Sequence, residues 1–342
     1  MAGAGHELRP VARSSAGGSS LAIPEPTQLR TETSGRQWAE PDTVLCHALR
    51  AGPRLEGPAL KAQFYGVRGS TPTPGPDYLR YGGNTSCVVL TFDDQDPIAL
   101  DAGTGLRAWG NTLDGDAPFR ATALVTHLHL DHIQGLPFFT PLFQPGARLK
   151  IHGPEQEVGS FEKAITRVFR PPLHPVRPSE IHGSLSFDEM TRGTVVIGNA
   201  AVTVRPVPHL GRTIGYRIDH GGSSVAYVSD HQAPRDQQTI DPGVLELAAD
   251  VDLLIHDAQY TPSDWATKSD WGHCTVSYAV RVAKEAGANT LAMFHHDPCR
   301  SDDAIDGLLA EARTAAGDHC EVIAAREGLA IELGAQSPAV SG

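Results

Sequence analysis

Hydrophobic positions along the first part of this chain come in short runs, and only later lengthen into helical stripes. Ala62–Val67 reads as a first strand, closed by the Gly- and Pro-rich loop Arg68–Pro76. Ser86–Phe92 and Pro97–Leu100, separated by Asp93-Asp94-Gln95-Asp96, predict a hairpin. Ala121–Thr126 and Leu149–His152 predict two compact strands, and Phe161–Phe169 carries apolar residues at helical intervals. Thr194–Ile197 and Ala201–Val207 alternate around a turn at Asn199, and Gly215–Asp219 faces Ser224–Ser229 across Gly221-Gly222. A strand at Val251–Ile255 precedes the clearest helix, Ser277–Ala286, which Gly287 ends as a C-cap. Leu291–Phe294 reads as strand, Asp302–Ala316 as helix, and the remainder as one final strand. Strands first, then strands mixed with helices, predict an α/β fold of two sheets sandwiched between helices.

Before residue 61 this pattern dissolves. Ser14-Ser15-Ala16-Gly17-Gly18-Ser19-Ser20 and scattered prolines give no sustained period, so residues 1–60 are expected to be a disordered extension. A short helix around Val44–Arg50 is its one expected element. Residues 61–335 then form one large domain, and residues 336–342 a tail.

Composition narrows the partners. No run approaches the ~20 apolar residues of a spanning helix, so no membrane partner is expected. The net charge of −12 disfavours an extended nucleic acid, which is usually met by a basic face, and leaves small anions as plausible substrates. Cys46, Cys87, Cys274, Cys299 and Cys320 are odd in number and never at CxxC spacing, against a disulfide framework or zinc ribbon. The N-terminus does not read as a secretory signal, so a reducing cytoplasm is the expected setting.

The strongest chemical signal is His127-Leu128-His129-Leu130-Asp131-His132, directly after the strand Ala121–Thr126. Four candidate ligands lie at a strand end where the chain must turn. In an extended segment His127 and His129 point to one side, while Asp131 and His132 turn toward a following helix and a second metal. Imidazole nitrogen with a carboxylate suits Zn²⁺. A solvated histidine-rich loop is the plainer reading, but it does not explain this spacing.

HxHxDH after an apolar strand resembles the metallo-β-lactamase superfamily, and later motifs agree in order. Asp101 in Leu100-Asp101-Ala102-Gly103-Thr104-Gly105 resembles the family's early aspartate, which supports the metal site from behind. Pro208-His209, Tyr227-Val228-Ser229-Asp230 and Phe294-His295-His296-Asp297 are similar to the later motifs. The likeness covers residues 62–333 and implies a four-layer αββα sandwich with two Zn²⁺, Mn²⁺ or Fe²⁺ being alternatives. It implies His127, His129, His209 and Asp230 around the first metal, and Asp131, His132, Asp230 and His295 around the second. His295 aligns best with the last ligand; His296 is the other candidate. Histidine rather than glutamate at position 129 favours hydrolysis over oxygen chemistry.

His256-Asp257-Ala258-Gln259-Tyr260 and Trp271-Gly272-His273-Cys274-Thr275 resemble paired loops of the tRNA 3′-processing nucleases and related phosphodiesterases. Those nucleases carry a long insertion after the third histidine, whereas here 20 residues separate His209 from Asp230. The expectation is therefore a metal-dependent hydrolase cleaving a small or cyclic phosphodiester through a metal-bridging hydroxide. Asp131 would orient or deprotonate the water, and His273 would assist the leaving group. Arg68, Arg107 and Arg217 are candidate phosphate contacts, each with an ordinary structural reading beside it, and Asn84 is a candidate neighbour of the pocket. An RNA endonuclease without the arm, and a lactone or thioester hydrolase, are the competing readings. Similar proteins are often homodimers, though no interface signal stands out here.

Overall fold

The computed structural model of the protein describes residues 43–45, 59–115 and 118–334. Most of the expected extension and the tail 336–342 lie outside the described residues.

The first sheet gathers β1 (Thr43–Leu45), β2 (Leu60–Gly66), β3 (Cys87–Phe92), β4 (Ile98–Leu100), β5 (Arg120–Leu124), β6 (Arg148–Pro154) and β7 (Ser184–Met190). The second gathers β8 (Gly193–Ile197), β9 (Ala200–Pro206), β10 (Ile214–His220), β11 (Ser223–Val228), β12 (Leu253–Asp257), β13 (Thr290–Phe294) and β14 (Glu321–Ala324). The last strand, β15 (Ala330–Leu333), returns to the first sheet between β1 and β2. Each sheet is mixed. β2, β3 and β4 pair antiparallel before β4 to β7 run parallel, and β8 to β11 pair antiparallel before β11 to β14 run parallel.

Among the described residues are seven α-helices: α1 (Thr104–Gly110), α2 (Leu130–Ile133), α3 (Phe161–Ile165), α4 (Pro242–Ala248), α5 (Pro262–Lys268), α6 (Val276–Ala286) and α7 (Asp302–Ala316). Leu106 and Trp109 of α1 and Phe161 and Ile165 of α3 pack on the outer face of the first sheet. Apolar residues of α4, α6 and α7 cover the second. Between the sheets lies a third cluster, with Phe64, Leu100, Leu124, Tyr216, Tyr227, Ile255 and Phe294 all fully buried. Helix, sheet, sheet, helix is the expected αββα sandwich. It follows from strands that are apolar on both faces, because a strand buried on both sides cannot alternate apolar with polar.

Gly287 has φ 71 and caps α6, as the pattern predicts. Three expectations need correction. Val44 and Leu45 are not helical but belong to β1, which pairs parallel with Ala330–Glu332; the open edge of β15 and the β-branched Thr43 and Val44 favour a strand there. The tail forms two strands, because the chain leaves the second sheet after Ala324 and crosses to the first. β7 was not anticipated, although Leu185 and Phe187 alternate with polar residues as an edge strand should.

The sandwich also fixes where chemistry can occur. β4, β5, β9, β11, β12 and β13 end just before Asp101, His127, His209 and Asp230, at Asp257, and just before His295. In sheets of this kind the carboxyl ends of the strands are where ligands bind.

Candidate active site

His127 lies three residues beyond β5, and its ring is almost fully buried. Its Nδ1–H donates to Thr126 Oγ1 at 3.0 Å, which turns Nε2 inward. His127 Nε2 lies 2.9 Å from His129 Nδ1, which is 3.2 Å from His209 Nε2. Two ligands at ~2.0–2.1 Å from one tetrahedral ion stand a little over 3 Å apart, so these three nitrogens have the spacing of a shared ligand sphere. His209 is turned by its own Nδ1–H, which donates to the Gly272 carbonyl at 2.6 Å. Gly272 is required there: its φ is +98, and a Cβ would meet the His209 ring at 2.4 Å.

A second cluster adjoins the first. His132 Nε2 is 3.2 Å from both Asp131 Oδ2 and Asp230 Oδ1. His295 Nε2 is 3.1 Å from Asp131 Oδ2 and 3.5 Å from Asp230 Oδ2. Asp230 Oδ2 also lies 3.9 Å from His127 Nε2 and 3.7 Å from His209 Nε2, so one carboxylate faces both clusters. His132 Nε2 and Asp230 Oδ1, both buried, face each other at 3.2 Å but not in hydrogen-bond geometry. Such atoms are costly unless something else meets them, and a divalent cation fits both. His296, the alternative to His295, points away and meets the Ala325 carbonyl at 2.9 Å.

The residues behind the clusters are rigid. Asp101 Oδ2 accepts from His132 Nδ1 at 2.7 Å and from the Tyr227 hydroxyl at 2.9 Å, while Oδ1 accepts from the Thr126 amide at 2.7 Å. Asp131 Oδ2 accepts from the Ser70 amide at 2.7 Å, and His295 Nδ1–H donates to Gln259 Oε1 at 3.1 Å. Ser70, Asp101 and His295 all have φ near +60, a conformation that costs non-glycine residues about 1–3 kcal/mol. Three such residues around one cluster mark a place where geometry is held against local preference.

The two clusters differ in charge. Burial lowers the pKa of His127 and His129 and pushes His209 down to about 4, so this trio is neutral near pH 7 with lone pairs available. Burial also opposes charge on His132 and His295, but the carboxylates of Asp131 and Asp230 outweigh it and raise both. Asp131 and Asp230 are correspondingly held low despite their burial. A cation entering the second cluster therefore displaces protons, and its affinity rises with pH.

His273 stands beside both clusters. Its Nδ1–H donates to Asp257 Oδ2 at 2.9 Å, its ring stacks on His295 at 5.0 Å, and Asp230 Oδ2 is 3.7 Å away. Asp257 is itself fixed by the amides of His231 and Gln259. This Asp257–His273 pair was not anticipated as a pair, although both residues lie in the quoted motifs. The clusters floor a cleft of about 540 Å³, walled also by Leu130, Tyr260, Lys268, Trp271, Asp297 and Cys299.

Four candidate contacts do not reach this cleft. Arg68 is fully buried and donates to the Gly82 and Arg300 carbonyls and to Asp302. Arg217 pairs with Asp219 and the Ala249 carbonyl, Arg107 is exposed on α1, and Asn84 is held by Glu327. Lys268 is the only lysine or arginine among the described residues that line the cleft.

Residues 98–296 match the family described as beta-lactamase superfamily domain. A ribonuclease Z of Haloarcula marismortui is 25% identical over 324 residues, covering 79% of this chain and 96% of its own length. The metallo-beta-lactamase fold protein YhfI from Bacillus subtilis has a TM-score of 0.60 at 20% identity, over 81% of this chain and 100% of its own. A diphosphatase from the PhnP family has a TM-score of 0.58 at 18% identity, over 80% of this chain and 97% of its own. Among the described residues no helix is long and apolar enough to cross a membrane. The chain belongs to the beta-lactamase superfamily and is a metal-dependent hydrolase of the metallo-β-lactamase fold.

Proposed function

We propose that the protein hydrolyses a small or cyclic phosphodiester, using two zinc ions held at the adjoining clusters. His127, His129, His209 and Asp230 would hold the first ion, and Asp131, His132, Asp230 and His295 the second. The nitrogen and carboxylate donors suit zinc, and Mn²⁺ or Fe²⁺ are compatible with the same set. Bound there, divalent ions would acidify a water and neutralise charge on a phosphoryl group.

The observation that carries the reading is His273, an imidazole additional to the ligand sets and anchored by Asp257 at 2.9 Å. With Nδ1 committed to Asp257, Nε2 is the nitrogen left to protonate a departing oxygen. Asp131, whose Oδ2 accepts from the Ser70 amide, would orient or deprotonate the attacking water. A thioester, which expels a stable thiolate, needs no such acid, so the pair weighs against that alternative. Asp101 acts only through His132 and Thr126. Asp101→Asn is therefore expected to weaken metal affinity about ten- to a hundredfold, measured by competition against a chelator.

Cleavage of RNA is the second reading, favoured by the ribonuclease Z relatives. Three features weigh against it. The segment between His209 and Asp230 is occupied by the plain β10–β11 hairpin, with no room for a gripping arm. The cleft also offers a single lysine where a polyanion would need a basic strip. Moreover, the alignment to the Haloarcula protein runs over 324 residues while using 79% of this 342-residue chain, so segments of that relative have no counterpart here.

Metal content and turnover of bis(p-nitrophenyl) phosphate on the purified protein test the proposal together. Two ions per chain with phosphodiester turnover is the expected result. Two ions with cleavage of a lactone or thioester instead would overturn the substrate class, and RNA cleavage with steep salt dependence would favour the second reading.

A further inference from the structure

Resting on the phosphodiesterase reading, we infer that Trp271 and Leu130 form a subsite for a planar aromatic part of the substrate, a nucleobase being the class that fits. Both side chains line the metal-cluster cleft, and both are mostly exposed, Leu130 at 62% and Trp271 at 59%. The other described tryptophans, Trp109 and Trp265, are buried in apolar clusters, so Trp271 is not held out of water by packing of that kind.

The backbone around Trp271 is nevertheless fixed. The Trp271 amide donates to the Lys268 carbonyl at 3.1 Å, the Gly272 amide to Gln232 Oε1 at 2.6 Å, and the Gly272 carbonyl receives His209 Nδ1–H. The segment is thus tied to a proposed metal ligand on one side and continues into His273 on the other. Lys268 Nζ lies over the indole at 5.8 Å from its centroid, and over the Tyr260 ring at 5.4 Å. Asp297 Oδ2 at 3.4 Å and Asp264 Oδ1 at 3.8 Å hold that ammonium in place. A cation on an aromatic face orients the ring, and here most of the ring is left to solvent.

Leu130 approaches from the opposite motif. It stands between His129 and Asp131, whose side chains turn to the metal clusters, and its own side chain faces the cleft. An indole already oriented loses little freedom when a second ring stacks on it. A substrate that brings a phosphodiester to the clusters and carries a flat ring beside it is a nucleotide. Lys268 is already paired with two carboxylates, so it acts as a positioning residue for Trp271 rather than as a receptor for a further phosphate.

The test compares AMP with ribose 5-phosphate, which differ by the base alone, titrated by calorimetry into the full-length metal-loaded protein. Wild type is expected to favour AMP by about five- to a hundredfold, the range of base stacking on an aromatic side chain. Trp271→Ala should bring the two ligands to near parity through loss of AMP affinity alone, with metal content unchanged, and Trp271→Phe should keep most of the preference. Parity or no binding in wild type overturns the subsite. Equal loss of both ligands in Trp271→Ala, accompanied by loss of metal, also overturns it, because the residue would then be holding His209. Turnover of phosphodiesters alongside wild-type parity retires the subsite and leaves the reaction standing. An AMP preference without any phosphodiester turnover retires the reaction and leaves the subsite.

Discussion

Asp230→Ala is expected to leave a folded protein that holds at most one metal ion per chain and has lost about a thousandfold or more of its hydrolytic rate. Among the described residues, Asp230 is the one carboxylate that faces both clusters. Its two oxygens lie within 3.2 to 3.9 Å of ring nitrogens on His132, His295, His209 and His127. It stands beyond β11 in a position that is 2% exposed. Without it, the neutral trio of His127, His129 and His209 keeps its three nitrogens, but the second cluster loses half of its negative charge. Asp230→Asn separates charge from shape, since it retains the volume and one acceptor. It should resemble alanine in metal content and rate if charge is what matters. Metal analysis after dialysis, and thermal melting with and without a chelator, read the outcome. Wild type should melt lower once stripped, because an ion that binds only the folded state stabilises it. Either variant retaining two ions and a rate within about tenfold of wild type would remove Asp230 from the bridging role.

The reach of the sequence differed between strands, ligands and neighbours. Strand ends were legible because apolar runs such as Ala121–Thr126 stop where polar residues begin, and the ligands sit at those stops. His127, His129, Asp131 and His132 stood out as candidates by their clustering within six residues, and alternation set the first two histidines to one side. His209, Asp230 and His295 were single polar residues in separate loops, and only the ordered resemblance joined them to the first motif. Helix α6 was legible from its apolar stripe and Gly287, whereas α1, α4 and α5 each have seven residues and too few turns to show a period. β1 escaped because its stability comes from pairing with β15, far away in the chain. Arg68, a candidate phosphate contact with a structural reading beside it, takes the structural one, because the fold brings Gly82, Arg300 and Asp302 around it. Lys268, at the end of α5, and the contact of Asp257, at the end of β12, with His273 are brought to the cleft by the fold, which no local pattern records.

His273→Ala is expected to divide substrates by their leaving groups. For a phosphodiester that releases an alkoxide, the rate should fall by about a hundred- to ten-thousandfold, the usual contribution of a positioned general acid. For one that releases p-nitrophenolate the loss should stay below about tenfold, because that anion leaves without needing a proton. The division follows from where the imidazole stands. Asp257 Oδ2 accepts its Nδ1–H at 2.9 Å, and the carboxylate is fixed in turn by the His231 amide on Oδ2 and the Gln259 amide on Oδ1, which holds the ring in this orientation. Asp257→Asn should show the same division, since it disturbs the hydrogen bond that sets the ring and its tautomer. A structural role predicts something different. The His273 ring also stacks on His295 at 5.0 Å and meets Tyr260 edge-on at 5.5 Å, so its removal could loosen the second cluster. That loss would fall equally on both substrates and would be accompanied by a lower metal content. Equal losses with full metal occupancy would place His273 on the phosphoryl oxygens rather than on the departing one, because stabilising charge at phosphorus serves every leaving group alike.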